Sequence, residues 1–302
     1  MRRNVTVLVL CLALVIISSA LFADSFVLTG NYLKVGVSNS GALINDDASV
    51  GIQYDPTGGG SFGAFDYLTP GIPCEYWSIG IDYGADPSVS SGNATLFSDF
   101  GLTNGNPLNM VTTNTSVGST LSAKSVGTWD AFDIGVTQDL WFDANESTIH
   151  FHTAITNNNL DSLLLGAFAR GADPDQDSYI SGPQTNNSIP AANEVMAVGP
   201  SSGYSITLID DQGQGGVPSI HAQWTSDNPD PFFFYNTPPN DGNGDNSINM
   251  AWGGTIDAGQ TVDIYYSYEL GGPKNPSVPE PCTMSLLGLS LCGLLGLRRR
   301  RK

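Results

Sequence analysis

Glycine and proline punctuate residues 24–278 so densely that no ten-residue stretch there keeps a helical period; the 302-residue chain has 35 Gly and 18 Pro. Short runs of Val, Ile, Thr, Tyr, Phe and Trp fill the gaps. They recur roughly every 8 to 15 residues, the rhythm of antiparallel strands in a sandwich or barrel. The clearest cover 26–37, 50–54, 76–83, 94–100, 132–142, 147–157, 163–170, 204–210, 220–224 and 261–269. The expected fold is all-β: a single large antiparallel β-sandwich over 24–270, with short N-terminal and C-terminal hydrophobic helices outside it.

Alternation is plainest in the middle of the chain. Ile149, Phe151, Thr153 and Ile155 share one face of a strand, and His150, His152, Ala154 and Thr156 the other. Asp143-Ala144-Asn145-Glu146 is a turn that joins this strand to the one before it, so the two form a hairpin. Near the end, Val262, Ile264, Tyr266 and Tyr268 give a closing strand one apolar-aromatic face. No linker interrupts 24–270. The run G-G-P-K-N-P-S-V at 271–278 is a linker.

Residues 148–177, T-I-H-F-H-T-A-I-T-N-N-N-L-D-S-L-L-L-G-A-F-A-R-G-A-D-P-D-Q-D, resemble a strand pair of secreted bacterial β-sandwich modules, the mutarotase-like supersandwich folds. The resemblance covers about 30 residues. It implies the fold; it transfers no catalytic residue.

The two ends address the chain. Arg2 and Arg3, the apolar run 5–17 and the small residues up to Ala20 and Ala23 read as a signal peptide, 1–23, cleaved after either alanine by signal peptidase following general secretion. At the other end, Pro279-Glu280-Pro281 precedes an apolar run from Cys282 to Leu297 and the cluster Arg298, Arg299, Arg300, Arg301 and Lys302. Sixteen helical residues span about 24 Å, short of a ~30 Å hydrocarbon core but workable with snorkelling arginines. The cations resist crossing and hold the tail cytoplasmic. This order and spacing resemble the PEP-CTERM sorting signal of Gram-negative bacteria, here 279–302. The resemblance implies an inner-membrane intermediate, recognition and cleavage by an exosortase, a final place on or outside the cell surface, and an association with exopolysaccharide and biofilm.

All 29 acidic residues lie within 24–280, against four basic ones, Lys34, Lys124, Arg170 and Lys274, so this segment carries −25. Such a surface excludes nucleic acid as a partner and favours divalent cations or cationic ligands. Of the cysteines, Cys11, Cys282 and Cys292 fall in the two terminal segments. Cys74 alone remains in the body, so no internal disulfide is expected and a buried structural thiol is.

Two acidic loops are the candidate metal sites. Asp173, Asp175 and Asp177 lie at alternate positions, as do Asp241, Asn243 and Asp245, and a wrapping loop could turn each trio onto one calcium ion. Neither loop completes an EF-hand pattern, and solvated acidic turns between strands are the expectation, or, for the first loop, a structural turn in which Arg170 pairs an Asp. His150 and His152 have a zinc-like spacing but need a third ligand, from His221 or a carboxylate elsewhere, and two exposed histidines are the expectation. Glu75 with Asp82, beside Tyr76 and Trp77, is one acidic pair that could flank a sugar. Trp77, Trp129, Trp141, Trp224 and Phe232–Tyr235 could stack on sugar rings, although in a sandwich most such rings are core. No hydrolase elbow, zinc-protease motif, phosphate loop or dinucleotide fingerprint occurs, and no cofactor other than calcium is indicated. The expected function is that of an exported, non-enzymatic surface or matrix protein. The alternative is a secreted carbohydrate-active or carbohydrate-binding module, which an exposed aromatic platform beside carboxylates would favour.

Overall fold

The structure, a computed structural model, describes residues 25–63, 65–70, 73–82, 93–99, 108–159, 165–222 and 230–273. The chain divides after Gly272 into a body and a C-terminal unit, 273–302, of which Pro273 alone is described. Both expected terminal helices, the signal peptide and the whole sorting motif lie outside the described residues. Among the described residues no helix is long and apolar enough to cross a membrane.

The body is an antiparallel β-sandwich. Strands β1 (Phe26–Thr29), β2 (Leu33–Val37) and β3 (Ile52–Tyr54) make a small sheet. Next in the chain come β4 (Glu75–Asp82), β5 (Asn93–Asp99), β6 (Val111–Asn114), β7 (Thr120–Trp129), β8 (Ile134–Asp143), β9 (Thr148–Asn157) and β10 (Leu165–Ala172). They are followed by β11 (Asn186–Ala191), β12 (Glu194–Val198), β13 (Ser205–Asp210), β14 (Val217–His221), helix α1 (Pro231–Asn236), β15 (Ser247–Thr255) and β16 (Thr261–Gly271). A five-stranded sheet has the order β14-β15-β10-β4-β5, and an eight-stranded sheet the order β11-β12-β13-β16-β9-β8-β7-β6.

Strict alternation makes the eight-stranded sheet two-faced. Along β8 and β9 buried residues alternate with half-buried ones, and the inward set includes Leu140, Phe142, Ile149, Phe151 and Ile155. These meet Trp77, Ile79, Phe168 and Trp252 of the five-stranded sheet; Tyr266 stands 5.1 Å from the Trp252 ring and 6.1 Å from Phe168. Leu28, Leu33 and Val35 of the small sheet join the same core. Each large side chain so buried contributes about 1.5–3 kcal/mol.

The five-stranded sheet is covered on both sides. Helix α1 lies on its outer face, with Phe234 packed among Cys74, Tyr76, Ala169 and Ala251. Asp230 caps the helix by accepting from the Phe232 amide at 3.0 Å, and Pro231 occupies its first turn. Gly80 makes room: a Cβ there would stand 2.7 Å from the Phe232 ring. Cys74 is buried, as expected.

Four details differ from the sequence reading. Residues 26–37 are two strands, because Gly30-Asn31-Tyr32 turns the chain back on itself so that Thr29 pairs Lys34. Strands β6, β7, β11, β12 and β15 fall where no strand was expected. The aromatic run 232–235 is a helix turn. Gly271, placed in the linker, ends β16 opposite Ser205.

Candidate functional site

Charged and aromatic side chains gather at three places: between the sheets, on the outer face of the eight-stranded sheet, and where β10 meets β15.

Between the sheets, Arg170 and Glu75 are fully buried and paired, Nε to Oε1 at 2.5 Å. The guanidinium also donates to Gln138 Oε1 at 2.9 Å and to the Gly41 carbonyl at 3.3 Å, and lies 4.6 Å over the Phe151 ring. The other oxygen of Glu75 accepts the Leu43 amide at 2.6 Å, and Tyr268 donates to Oε1 at 3.3 Å. Burial works against the guanidinium's charge, but the adjoining carboxylate raises its pKa above the ordinary value. Glu75 is thus a core residue. It and Asp82 stand at opposite ends and on opposite faces of β4, about 23 Å apart at ~3.3 Å per residue, so they cannot flank one sugar. Trp77 and Trp129 are core as well.

The outer face of the eight-stranded sheet is built by the same strands with the opposite parity. Register sets Lys124 beside Asp139, Asp139 beside His152, Trp141 beside His150, and Tyr265 beside His152. His152 stacks on Tyr265, 4.5 Å between centroids and 12° between planes, and His150 on Trp141 at 5.6 Å and 20°. The His152 ring lies between two carboxylates, Nε2 2.7 Å from Asp263 Oδ1 and Nδ1 3.7 Å from Asp139 Oδ2. Glu146 stands 3.8 Å from His150, and Lys124 3.3 Å from Asp139. The side chains of His150 and His152 are 32 % and 23 % exposed, those of Glu146 and Asp263 both 49 %. His221, a third ligand that a zinc site could have drawn on, is on β14 of the other sheet, 3.3 Å from Asp241 and against Phe233. The histidines therefore join an aromatic and acidic array, and form no three-histidine site.

The rim of this face reaches a cavity. Gln214 holds the edge of β16 by donating to the Asp263 carbonyl at 2.7 Å and accepting the Tyr265 amide at 2.9 Å. Behind it, at the end of the sandwich away from the acidic loops, a space of about 150 Å³ is lined by Ile79, Ile81, Ile155, Phe168, Trp252 and Ile264, with Gln214 and Asp263 at its margin.

The third cluster joins the two acidic loops. Strand β10 pairs with β15 so that Ala172 is opposite Ile248, which brings 173–177 alongside 241–245. Asp173, Asp175 and Asp177 are 2 %, 3 % and 0 % exposed, so the expected solvated turn is instead a buried one. Arg170, engaged with Glu75, pairs with none of them. Asp177 accepts the amides of Ser201 and Ser202 at 2.6 and 3.1 Å; Asp241 accepts that of Ala222 at 2.7 Å, and Asn243 that of Asn187 at 2.8 Å. Burial, with Asp175 and Asp245 nearby, pushes Asp173 up to about 8; burial, with Asp245, pushes Asp175 up to about 7. Burial raises Asp245 as well. Among the described residues no group of three or more His, Cys, Asp or Glu side chains is set to hold a metal ion.

Trp224 and the sorting residues Pro279, Glu280, Pro281 and 298–302 lie outside the described residues.

No family model matches this chain, and no curated protein does. Solved structures do. A bacterial glucoamylase complexed with acarbose superimposes with a TM-score of 0.50 over 89 % of this chain, at 14 % identity. A galactose mutarotase-like protein from Lactobacillus casei scores 0.42 at 11 % identity, covering 82 % of this chain and all of that one. An α-mannosidase from Enterococcus faecalis scores 0.42 at 12 % identity, covering 83 % of this chain and 29 % of that one. The chain spans about a third of the glucoamylase, 35 % of its length. At these identities the likeness is one of fold.

Proposed function

We propose that this is an exported surface protein whose β-sandwich binds carbohydrate through the outer face of the eight-stranded sheet. One observation carries the reading: the half-buried pairs Trp141–His150 and Tyr265–His152 stand side by side, flanked by Asp139, Glu146 and Asp263. Aromatic rings offer apolar contact to the C–H face of a sugar, while carboxylates and imidazoles hydrogen-bond its hydroxyls. The glucoamylase that shares this fold over 35 % of its length is complexed with acarbose. The terminal segments supply the address: export by the signal at 1–23, then exosortase processing at Pro279-Glu280-Pro281 and display or release at the surface.

A second reading, a carbohydrate-active enzyme, is favoured by the placement of His152 between Asp139 and Asp263, an imidazole held by two carboxylates as a proton-transferring group would be. An assay of mutarotation and glycoside hydrolysis, wild type against His152→Ala, separates the two: binding without turnover supports the first.

Binding is tested by titrating the full-length chain with neutral and amino-sugar oligosaccharides, since a −25 segment repels anionic ones. Saturable binding lost in Trp141→Ala supports the reading, and its absence from a broad panel defeats it. The address is tested separately. Glu280→Ala or deletion of 298–302 should leave full-mass precursor in the membrane fraction. An intact C-terminus on wild-type surface material would overturn the processing step.

A further inference from the structure

We propose that a calcium ion binds at the junction of β10 and β15, held by the carboxylates of Asp173 and Asp175 with the side-chain oxygen of Gln176, and with Asp245 contributing charge from the second loop. Of the seven side chains with oxygen in the two acidic loops, three already have structural work: Asp177 closes the turn at 201–202, Asp241 the end of β14, and Asn243 the start of β11. Asp173 has none of comparable kind, and Asp175 has only the neighbouring Ser178 side chain, within its own turn. Among the described residues no Lys, Arg or His pairs with either.

The orphaned atoms are the observation that points to a ligand. Asp173 Oδ1, Asp175 Oδ1 and Gln176 Oε1 are all buried and have no hydrogen-bond partner, on residues 2 %, 3 % and 1 % exposed. Gln176 uses only its nitrogen, donating to the Tyr204 carbonyl at 3.2 Å and the Ala197 carbonyl at 3.5 Å. A buried carboxylate oxygen with no donor is costly, and two neighbouring carboxylates repel besides.

The donors are all oxygen, the set that hard cations take. Two carboxylates and an amide oxygen, completed by backbone carbonyls and water, suit calcium's loose shell of 6 to 8 oxygens better than the strict octahedron of magnesium. An arrangement with two direct carboxylates needs no trio of acidic side chains. The −25 of the surrounding segment concentrates divalent cations at its surface. The ion would tie the exit of the central strand β10 to the entry of β15, a link that neither loop makes alone.

The test is thermal unfolding of the full-length chain in millimolar calcium, in millimolar magnesium and in chelator. Calcium at a hundredfold excess over Kd should raise the Tm by about 5 °C or more. The double variant Asp173→Asn/Asp175→Asn should melt in chelator at or above the wild-type temperature, because it sheds uncompensated charge, and should not respond to calcium. Asp241→Asn, which breaks a turn but leaves the ion's ligands, should melt lower in every condition and keep its calcium response. The proposal is overturned if wild type melts equally in calcium and chelator, if the double variant still responds, or if magnesium gives the same shift.

Discussion

The two faces of β8, β9 and β16 carry similar chemistry to opposite ends. Inward, Gln138, Phe151 and Tyr268 surround the Arg170–Glu75 pair. Outward, with the opposite parity on each strand, Asp139, Tyr265 and Asp263 surround the imidazole of His152. The buried pair is a network in which Arg170 donates to three acceptors; the outer array leaves its carboxylates a third to a half exposed. The energetics differ accordingly. A buried charge stripped of its partner costs about 3–5 kcal/mol, whereas exposed ion pairs contribute ~0–1 kcal/mol each. Stability accounts for the inner network. It gives little reason for two histidine–aromatic stacks and three carboxylates on the solvent side, and that surplus is why the outer face is read as the functional one.

The largest effect should come from splitting the inner pair. Arg170→Met leaves Glu75 buried without its cation and is expected to lower stability by about 3–5 kcal/mol, a Tm fall of roughly 10 °C, measured by thermal or urea unfolding. Glu75→Gln together with Arg170→Met should recover part of that loss, since no lone charge remains. A single variant no worse than the double would mean that the pair does not hold the layers together.

The next effect separates the faces by function. Trp141→Ala and Tyr265→Ala remove half-buried rings from the outer face and should each cost no more than about 2 kcal/mol. Either change should weaken carbohydrate binding at least tenfold in calorimetric titration. Equal binding by wild type and both variants would leave the outer array without its assigned role.

How much of this division was legible in the sequence depended on alternation. The parity of 149–156 put His150 and His152 on one face and Phe151 on the other, and the turn at 143–146 fixed the β8–β9 hairpin. Strand β15 was invisible for the converse reason. Its residues from Ser247 to Trp252 are all buried, one side under the other sheet and the other under α1, so no polar period survives. With β15 unseen, nothing could bring Asp245 to Asp173, and the two acidic loops read as separate. Strand β7 presents Ser125 inward and Val126 outward, which inverts the expected pattern. The helix at 231–236 is too short to establish a period. The partner of Arg170 could not be read either: Glu75 is 95 residues away, and only the pairing of β10 with β4 brings it close.

The smallest effect belongs to the outer face's most ordinary contact. Lys124 and Asp139 are 3.3 Å apart with side chains 44 % and 34 % exposed. Solvent screens such a pair, and holding two side chains in place offsets much of the attraction. Lys124→Ala should therefore change stability by less than about 0.5 kcal/mol, and any change should shrink further in high salt. Its value lies in what it does to binding. Lys124 is the cation nearest to the Asp139–His152–Asp263 row, so removing it makes the platform more negative without touching a ring. If the ligand is an amino sugar, affinity should hold or rise, and most visibly at low salt; if it is neutral, affinity should stay level at every salt concentration. A loss of affinity on removing Lys124, with stability unchanged, would point instead to an anionic glycan and would overturn the charge argument for the outer face.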